Sequence, residues 1–266
     1  MKNTKQNNLP YTIFIAAVVS LGGFLFGFDA AIISGVVGSV ENLFGLSDAQ
    51  TGFVVSAPSW AAMFAMVTAG VVSDYIGRKR VLIAVASLYA ISALLSAYAS
   101  SYEMLAIARM VGGIAFGAAL ILAPMYIAEI SSAENRGKLV SIQQLNIVLG
   151  FSAAYFSSYY LNDLGGGTDG MINKENAWRW MLGIEMIPAI LYFLLLFLVP
   201  KSPRWLMSKG RDEEAQTVLN KLYGTQAIAQ SIFQSIKNNH LKFSVRNGSV
   251  WCKRKIISKL VGVADH

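Results

Sequence analysis

Cysteine is almost absent from this chain: Cys252 stands alone. One thiol excludes an intramolecular disulfide and supplies no cluster of metal ligands. Histidine is nearly as scarce, and His240 and His266 both fall in the last tenth of the sequence. With no metal cluster, nucleophile triad or phosphate-binding loop evident, the sequence reads as a protein that is not an enzyme and needs no cofactor. Charge is in short supply too. Asp, Glu, Lys and Arg make up 14% of the residues, against about 25% in soluble domains. That deficit excludes the ordinary soluble class.

What is present is hydrophobic surface. Apolar residues reach 55% of the chain and the mean hydropathy is +0.49, a balance that points to a membrane protein. The net charge of +7 resembles a nucleic-acid signal only until its cations are located. Twelve of the 22 Lys and Arg lie after Pro200, so the surplus belongs to one tail and no nucleic-acid partner is expected.

Six apolar runs appear, at 11–37, 51–73, 81–100, 104–128, 139–161 and 179–199. Each has roughly the 20 residues needed to cross about 30 Å of hydrocarbon. The first exceeds the h-region of a signal peptide and is followed by further spans, so it reads as a membrane helix. The connections alternate in charge. Lys2, Lys5, Arg78, Lys79, Arg80, Arg136, Lys138 and the cations after Pro200 fall on one side, whereas the other side has only Lys174 and Arg179. Lys and Arg near span ends favour the cytoplasm, which predicts that both termini are cytoplasmic. Residues 1–200 are therefore expected to form a six-helix bundle, 201–240 an amphipathic helical segment, and 241–266 an aperiodic basic tail.

The shortest inward connection carries the most information: Gly70-Val-Val-Ser-Asp74-Tyr-Ile-Gly77-Arg78-Lys79-Arg80. Gly77 suits a positive-φ reversal between antiparallel helices. Asp74 lies at the C-terminal end of a helix, where the macrodipole disfavours an anion, so it needs a cation or another helix N-terminus as partner.

Two charges lie inside spans, Asp29 in the first and Arg109 in the fourth. Such charges face a partner or a water-filled cavity. At 1.5 Å per residue they sit roughly 12 Å and about 8 Å below the outer helix ends, comparable depths that permit pairing. Gly23-x3-Gly27 and Gly113-x3-Gly117 allow close backbone approach nearby. Two readings are open: a static ion pair, or a titrating carboxylate that Arg109 holds ionised in one state. Helices 1–3 and 4–6 are candidates for an inverted repeat in which helix 4 answers helix 1.

The G-x3-D-x2-G-R-K-R connection resembles the loop between helices 2 and 3 of major facilitator superfamily transporters. Pro124-Met-Tyr126-Ile-Ala-Glu129 with Asn135-Arg136-Gly137-Lys138, Trp178-Arg179-Trp180, and Pro200-Lys201-Ser202-Pro203-Arg204-Trp205-Leu206 resemble successive signatures of its sugar porters. The resemblance implies an all-α membrane protein whose six transmembrane helices form the N-terminal bundle of a major facilitator fold, followed by cytoplasmic helices. It implies transport of a hexose or pentose with proton symport by alternating access in the cell (inner) membrane, the partners being sugar, protons and the lipid bilayer. Asp29 matches the proton-coupling acid and Arg109 its basic partner. Gln144 matches a sugar-binding glutamine, and Phe24 an aromatic wall. Asp74, Gly77, Arg78, Glu129, Arg136 and Arg204 match a cytoplasmic gate network. A drug/proton antiporter of the same superfamily is the alternative, and a non-transporting membrane fragment is another.

The chain departs from the pattern in places. Lys201 replaces the acid of P-E-S-P-R, and Phe151 stands at a helix-5 position that is polar in some symporters. Glu185, roughly 9 Å below the outer end of helix 6, is either a second titrating group or one that reaches the interface. The family has twelve helices, so the sequence reads as half a transporter, a truncation or frameshift product that is inactive alone. Its face with Phe24, Asp29 and Gln144 is expected to line a cavity whose opposite wall is absent and to meet lipid, a second copy or a C-terminal half, of which a copy covers the face without completing the sugar site.

Overall fold

The computed structural model describes residues 8–165 and 176–238, and among them there are helices and no strands. Helices α1 (Leu9–Phe44), α2 (Asp48–Ile76), α3 (Arg78–Ala97), α4 (Tyr102–Ile130) and α5 (Arg136–Gly165) are followed by α6 (Ala177–Gly183) and α7 (Met186–Leu196). The last two together make a sixth element long and apolar enough to span a membrane, after the five before it. Beyond them lie α8 (Pro203–Ser208), α9 (Asp212–Tyr223) and a helical stretch at 226–238.

The helix ends follow from local chemistry. The Ser47 N–H donates to Gln50 Oε1 at 3.0 Å, and Ser101 Oγ accepts from the Met104 N–H at 3.3 Å. Both satisfy donors that a helix start leaves open. Gly77 has φ +96° and its N–H donates to the Ser73 carbonyl. Only a residue without a Cβ takes that conformation without strain, so α2 turns into α3 over one residue. α1 runs 36 residues, well past its apolar run. Its added turns carry Glu41 and Asn42, but Val40 is buried and Phe44 packs edge-on against Trp178, so the core continues past the apolar run.

The sixth span is interrupted, although its apolar run is continuous. Pro188 has no N–H to give the Ile184 carbonyl. That carbonyl instead accepts from Ile187 at 3.1 Å, a tighter turn, and Glu185 sits at the break between α6 and α7.

The described residues fall into two compact units. In the unit Leu9–Ser202, α1 packs chiefly on α5 and α2 on α4; α4 also contacts α1 and α3, and α3 packs on α6 and α7. The glycine pairs set these crossings. A Cβ on Gly27 would strike the Ile147 carbonyl oxygen of α5, and one on Gly113 the Pro58 carbonyl oxygen of α2. The close approaches near the ion pair are thus α1 to α5 and α4 to α2. Ile32, Val36, Leu105, Trp178 and Leu182 lead one buried cluster. Arg179 lies 4.5 Å over the Trp178 ring and donates to the Ala97 carbonyl at the end of α3.

The other unit comprises the described residues 203–238, with Asn8, whose side chain donates to the Lys221 carbonyl. α9 carries Asp212, Glu213 and Glu214 in its first turn, where the dipole favours anions, and ends at Gly224 with φ +67°. The tail expected at 241–266 lies outside the described residues.

Candidate functional site

Asp29 and Arg109 meet. Arg109 Nη1 donates to Asp29 Oδ1 at 2.9 Å and Nη2 to Oδ2 at 3.3 Å, a bidentate pair. The two residues are 7% and 3% exposed. Arg109 Nε is buried without a hydrogen-bond partner among the described residues. The guanidinium therefore keeps an unused Nε–H in a water-poor setting.

A third ionisable side chain completes the cluster. Glu185, at the break in the sixth span, is buried and lies within electrostatic reach of both Asp29 and Arg109. Two buried tyrosines reach α1 from neighbouring helices. Tyr89 Oη donates to the Gly22 carbonyl at 3.1 Å and Tyr192 Oη to the Val19 carbonyl at 3.4 Å, both on α1. Tyr89 is within electrostatic reach of Asp29, Glu185 and Tyr192. The depth estimate alone did not assign Glu185 to this cluster, and the tyrosines were not singled out. Pro188, three residues after Glu185, is the signal that a helix break sets this carboxyl apart.

Asp29 does not line an open face. Arg109 draws it between α1 and α4, which corrects the expectation that it shares an exposed wall with Phe24 and Gln144. Gln144 is exposed on α5, and Phe24 is partly buried on α1, stacked on Phe28 with centroids 6.1 Å apart. The two helices cross closely here, since a Cβ on Gly150 would meet the Phe24 carbonyl oxygen. The neighbouring amides point elsewhere. Asn146 Nδ2 donates to Ser20 Oγ at 2.6 Å, and Gln143 Nε2 to the Leu120 carbonyl at 3.4 Å. Gln144 is thus the amide of this α5 turn that remains open to a ligand. Phe151 packs edge-on against Phe26 at 6.5 Å, making this position part of an aromatic cluster.

At the opposite end of the bundle, Arg78 gathers the loop charges. It reaches Asp74 at 2.6 Å, Glu129 at 3.1 Å and the Ser73 carbonyl at 3.2 Å. Asp74 thereby finds the cation its helix-end position requires. Ser202 Oγ donates to the other oxygen of Glu129, and Tyr126 Oη to the Pro200 carbonyl at 2.7 Å. The chain after α7 is thus tied to α4, through a serine that sequence reasoning did not single out inside its motif. The structure does not bring Arg136 into an ion pair with this group; its Nε is buried without a hydrogen-bond partner among the described residues. Arg204 is exposed on α8, in the other unit.

Comparison with known proteins gives a consistent set of likenesses. Residues 15–258 match the family model described as "Sugar (and other) transporter". The arabinose-proton symporter of Bacillus subtilis (strain 168) is 36% identical over 236 residues, 89% of this chain and 50% of the relative. The D-xylose-proton symporter of Escherichia coli (strain K12) is also 36% identical, over 88% of this chain and 52% of the relative. Among solved structures, the E. coli proton:xylose symporter XylE bound to 6-bromo-6-deoxy-D-glucose superposes with a TM-score of 0.81 at 35% identity, over 87% of this chain and 53% of XylE. The chain spans about half the length of the curated relatives it matches.

Proposed function

The chain belongs to the sugar transporter family of the major facilitator superfamily, and from that membership we propose that it serves proton-coupled uptake of a hexose or pentose by alternating access. The Asp29–Arg109 pair carries this reading. A carboxylate gripped bidentate inside a bundle is held ionised by its arginine. Protonating it removes the charge that Arg109 holds, which loosens α1 from α4 and couples a proton to a rearrangement. Glu185 is a second carboxyl within reach of the same guanidinium, so Arg109 is shared and answers to the protonation of both.

Gln144 is the sugar contact, because an amide donates and accepts and so suits vicinal hydroxyls. Phe24 supplies an apolar wall for the ring. Asp74, Gly77, Arg78 and Glu129 close the inner end of the bundle. The cations of the α2–α3 loop support a cytoplasmic position for this end and for both termini, with the bundle in a cell (inner) membrane. The six spans form one wall of the pathway, and a second bundle, a C-terminal half or a second copy, forms the other. The relatives named above are sugar symporters, which disfavours drug export.

Reconstitution tests the reading. The purified chain, coexpressed with a C-terminal six-helix half of the same family, is expected to give saturable, stereospecific sugar uptake into proteoliposomes. The chain alone is expected to give negligible uptake. Dye efflux without sugar uptake by the assembled pair would contradict the substrate class. Saturable uptake by the 266-residue chain alone would contradict the need for a second bundle.

A further inference from the structure

Neither the coupling pair nor the sugar contact uses the two tyrosines that reach α1. Tyr89 of α3 and Tyr192 of α7 are fully buried, and their hydroxyls end one turn apart on α1, at the Gly22 carbonyl (3.1 Å) and the Val19 carbonyl (3.4 Å). Both carbonyls lie well inside the helix, where the N–H of the next turn already takes one lone pair. The hydroxyls take the other. Phenylalanine would fill the same space, so what each hydroxyl adds is a directed bond. It is added where α1 has least to hold it in register. Gly22 and Gly23 present no side chains, and α4 and α5 close on them: a Cβ on Gly22 would lie 2.8 Å from Ala119 Cβ, and one on Gly23 3.1 Å from Gln143 Cγ. A smooth surface packed on both sides fixes separation but resists rotation and sliding poorly, because no ridge sits in a groove there.

We propose that Tyr89 and Tyr192 are positioning residues for the Asp29–Arg109 pair: their hydroxyls set the height and rotation of α1 at its glycine turn and so bring the Asp29 carboxylate onto the guanidinium. The inference deepens the coupling reading above and rests on it for its bearing on transport. Geometry links the two levels. Asp29 follows Gly22 by seven residues, which is about 10 Å along the axis and within about 20° of the same azimuth. Helix α4 passes both points, with Ala119 at Gly22 and Arg109 at Asp29. One α1–α4 seam therefore has the tyrosine-held turn at one end and the ion pair at the other. A constellation such as this bidentate fork keeps its geometry only over about 0.5 Å and 10–20°. A small turn or slip of α1 at Gly22 thus reaches the carboxylate and opens the pair. A phenol has one O–H, and each is committed to α1, so both tyrosines act through the helix backbone.

A thermal double-mutant cycle on the purified full chain in detergent tests the proposal. Tyr89→Phe/Tyr192→Phe is combined with the unaltered pair and with Asp29→Asn/Arg109→Gln, in which no ion pair remains to be positioned. Gly22 and Asp29 are about 10 Å apart, a distance at which unconnected changes add. The melting temperature is expected to fall by about 4 °C with the pair present, and by no more than about half of that without it. Hydrogen exchange followed by mass spectrometry gives a regional readout. With the pair present, the two phenylalanines are expected to speed exchange about ten-fold at 27–34, around Asp29, as well as at 19–26. In the neutral background the effect at 27–34 is expected to disappear. Equal melting shifts in the two backgrounds, or faster exchange confined to 19–26, would reduce the hydroxyls to local packing and overturn the proposal. Size-exclusion elution matching the unaltered chain marks each variant as folded; should the double tyrosine variant fail that test, Tyr89→Phe and Tyr192→Phe enter the cycle singly. Neither readout needs transport, so a non-additive cycle beside an Asp29→Asn variant that still accumulates sugar would uphold the positioning and overturn the coupling reading alone.

Discussion

Asp29 meets Arg109 between α1 and α4, where the side chains are 10% and 3% exposed. Asp74 meets Arg78 at the end of α2, where the aspartate side chain is 67% exposed. Both are aspartate–arginine pairs, yet burial gives them different work. Away from water each charge depends on the few groups beside it, because the attraction and the desolvation cost both grow as the effective dielectric falls. At the bundle's end, water and other partners share the task; Arg78 also holds Glu129 and the Ser73 carbonyl. Removing a charge from the first pair therefore changes the whole bundle, whereas removing one from the second adjusts a local contact.

The sharpest way to break this comparison is Arg109→Gln, which leaves Asp29 buried without its cation. A loss of about 3–5 kcal/mol is expected, the usual result of stranding one member of a buried pair. Thermal unfolding in detergent reads it, and the double variant with Asp29→Asn should regain much of the loss. An unaltered melting temperature in the single variant would mean that the carboxylate is not stranded. Next in size comes Glu129→Gln. This side chain is 10% exposed and accepts from Arg78 and Ser202, so losing its charge should cost about 1.5–3 kcal/mol. The same melts measure it.

Packing supplies a smaller effect that is independent of charge. Gly113→Ala places a methyl against the Pro58 carbonyl, with an expected cost of about 1–3 kcal/mol. Gly38→Ala, where a Cβ meets nothing within 4 Å, is the control and should be neutral or slightly stabilising. If the two alanines behave alike, the tight α2–α4 crossing is not what the glycine serves. The smallest effect is Asp74→Asn, about 0–1 kcal/mol for so exposed a pair. A loss as large as that of Arg109→Gln would erase the distinction between the two ends.

The spans and the Asp29–Arg109 contact were legible because hydropathy and rise per residue report depth along a helix. They do not report azimuth. Depth alone therefore placed Asp29 on an open face with Gln144, when Arg109 turns it inward, and left unstated that Gly27 meets α5 and Gly113 meets α2. Tyr89 and Tyr192 looked like members of apolar runs, since only the fold brings their hydroxyls to carbonyls of α1. Glu185 was visible as a charge but not as a neighbour of Arg109; its placement depends on the turn that Pro188 imposes on the sixth span. Arg136 matched the gate pattern by spacing, and spacing does not specify which carboxylate a side chain reaches.

The measurement that bears most directly on the central claim is sugar accumulation by an Asp29→Asn variant in proteoliposomes, with the chain assembled beside a C-terminal half. Asparagine keeps the shape of the side chain and removes its titration. Accumulation driven by an imposed proton gradient is expected to be lost, while downhill exchange of labelled sugar persists. Accumulation against a gradient at the unaltered level would show that Asp29 is not where the proton is coupled.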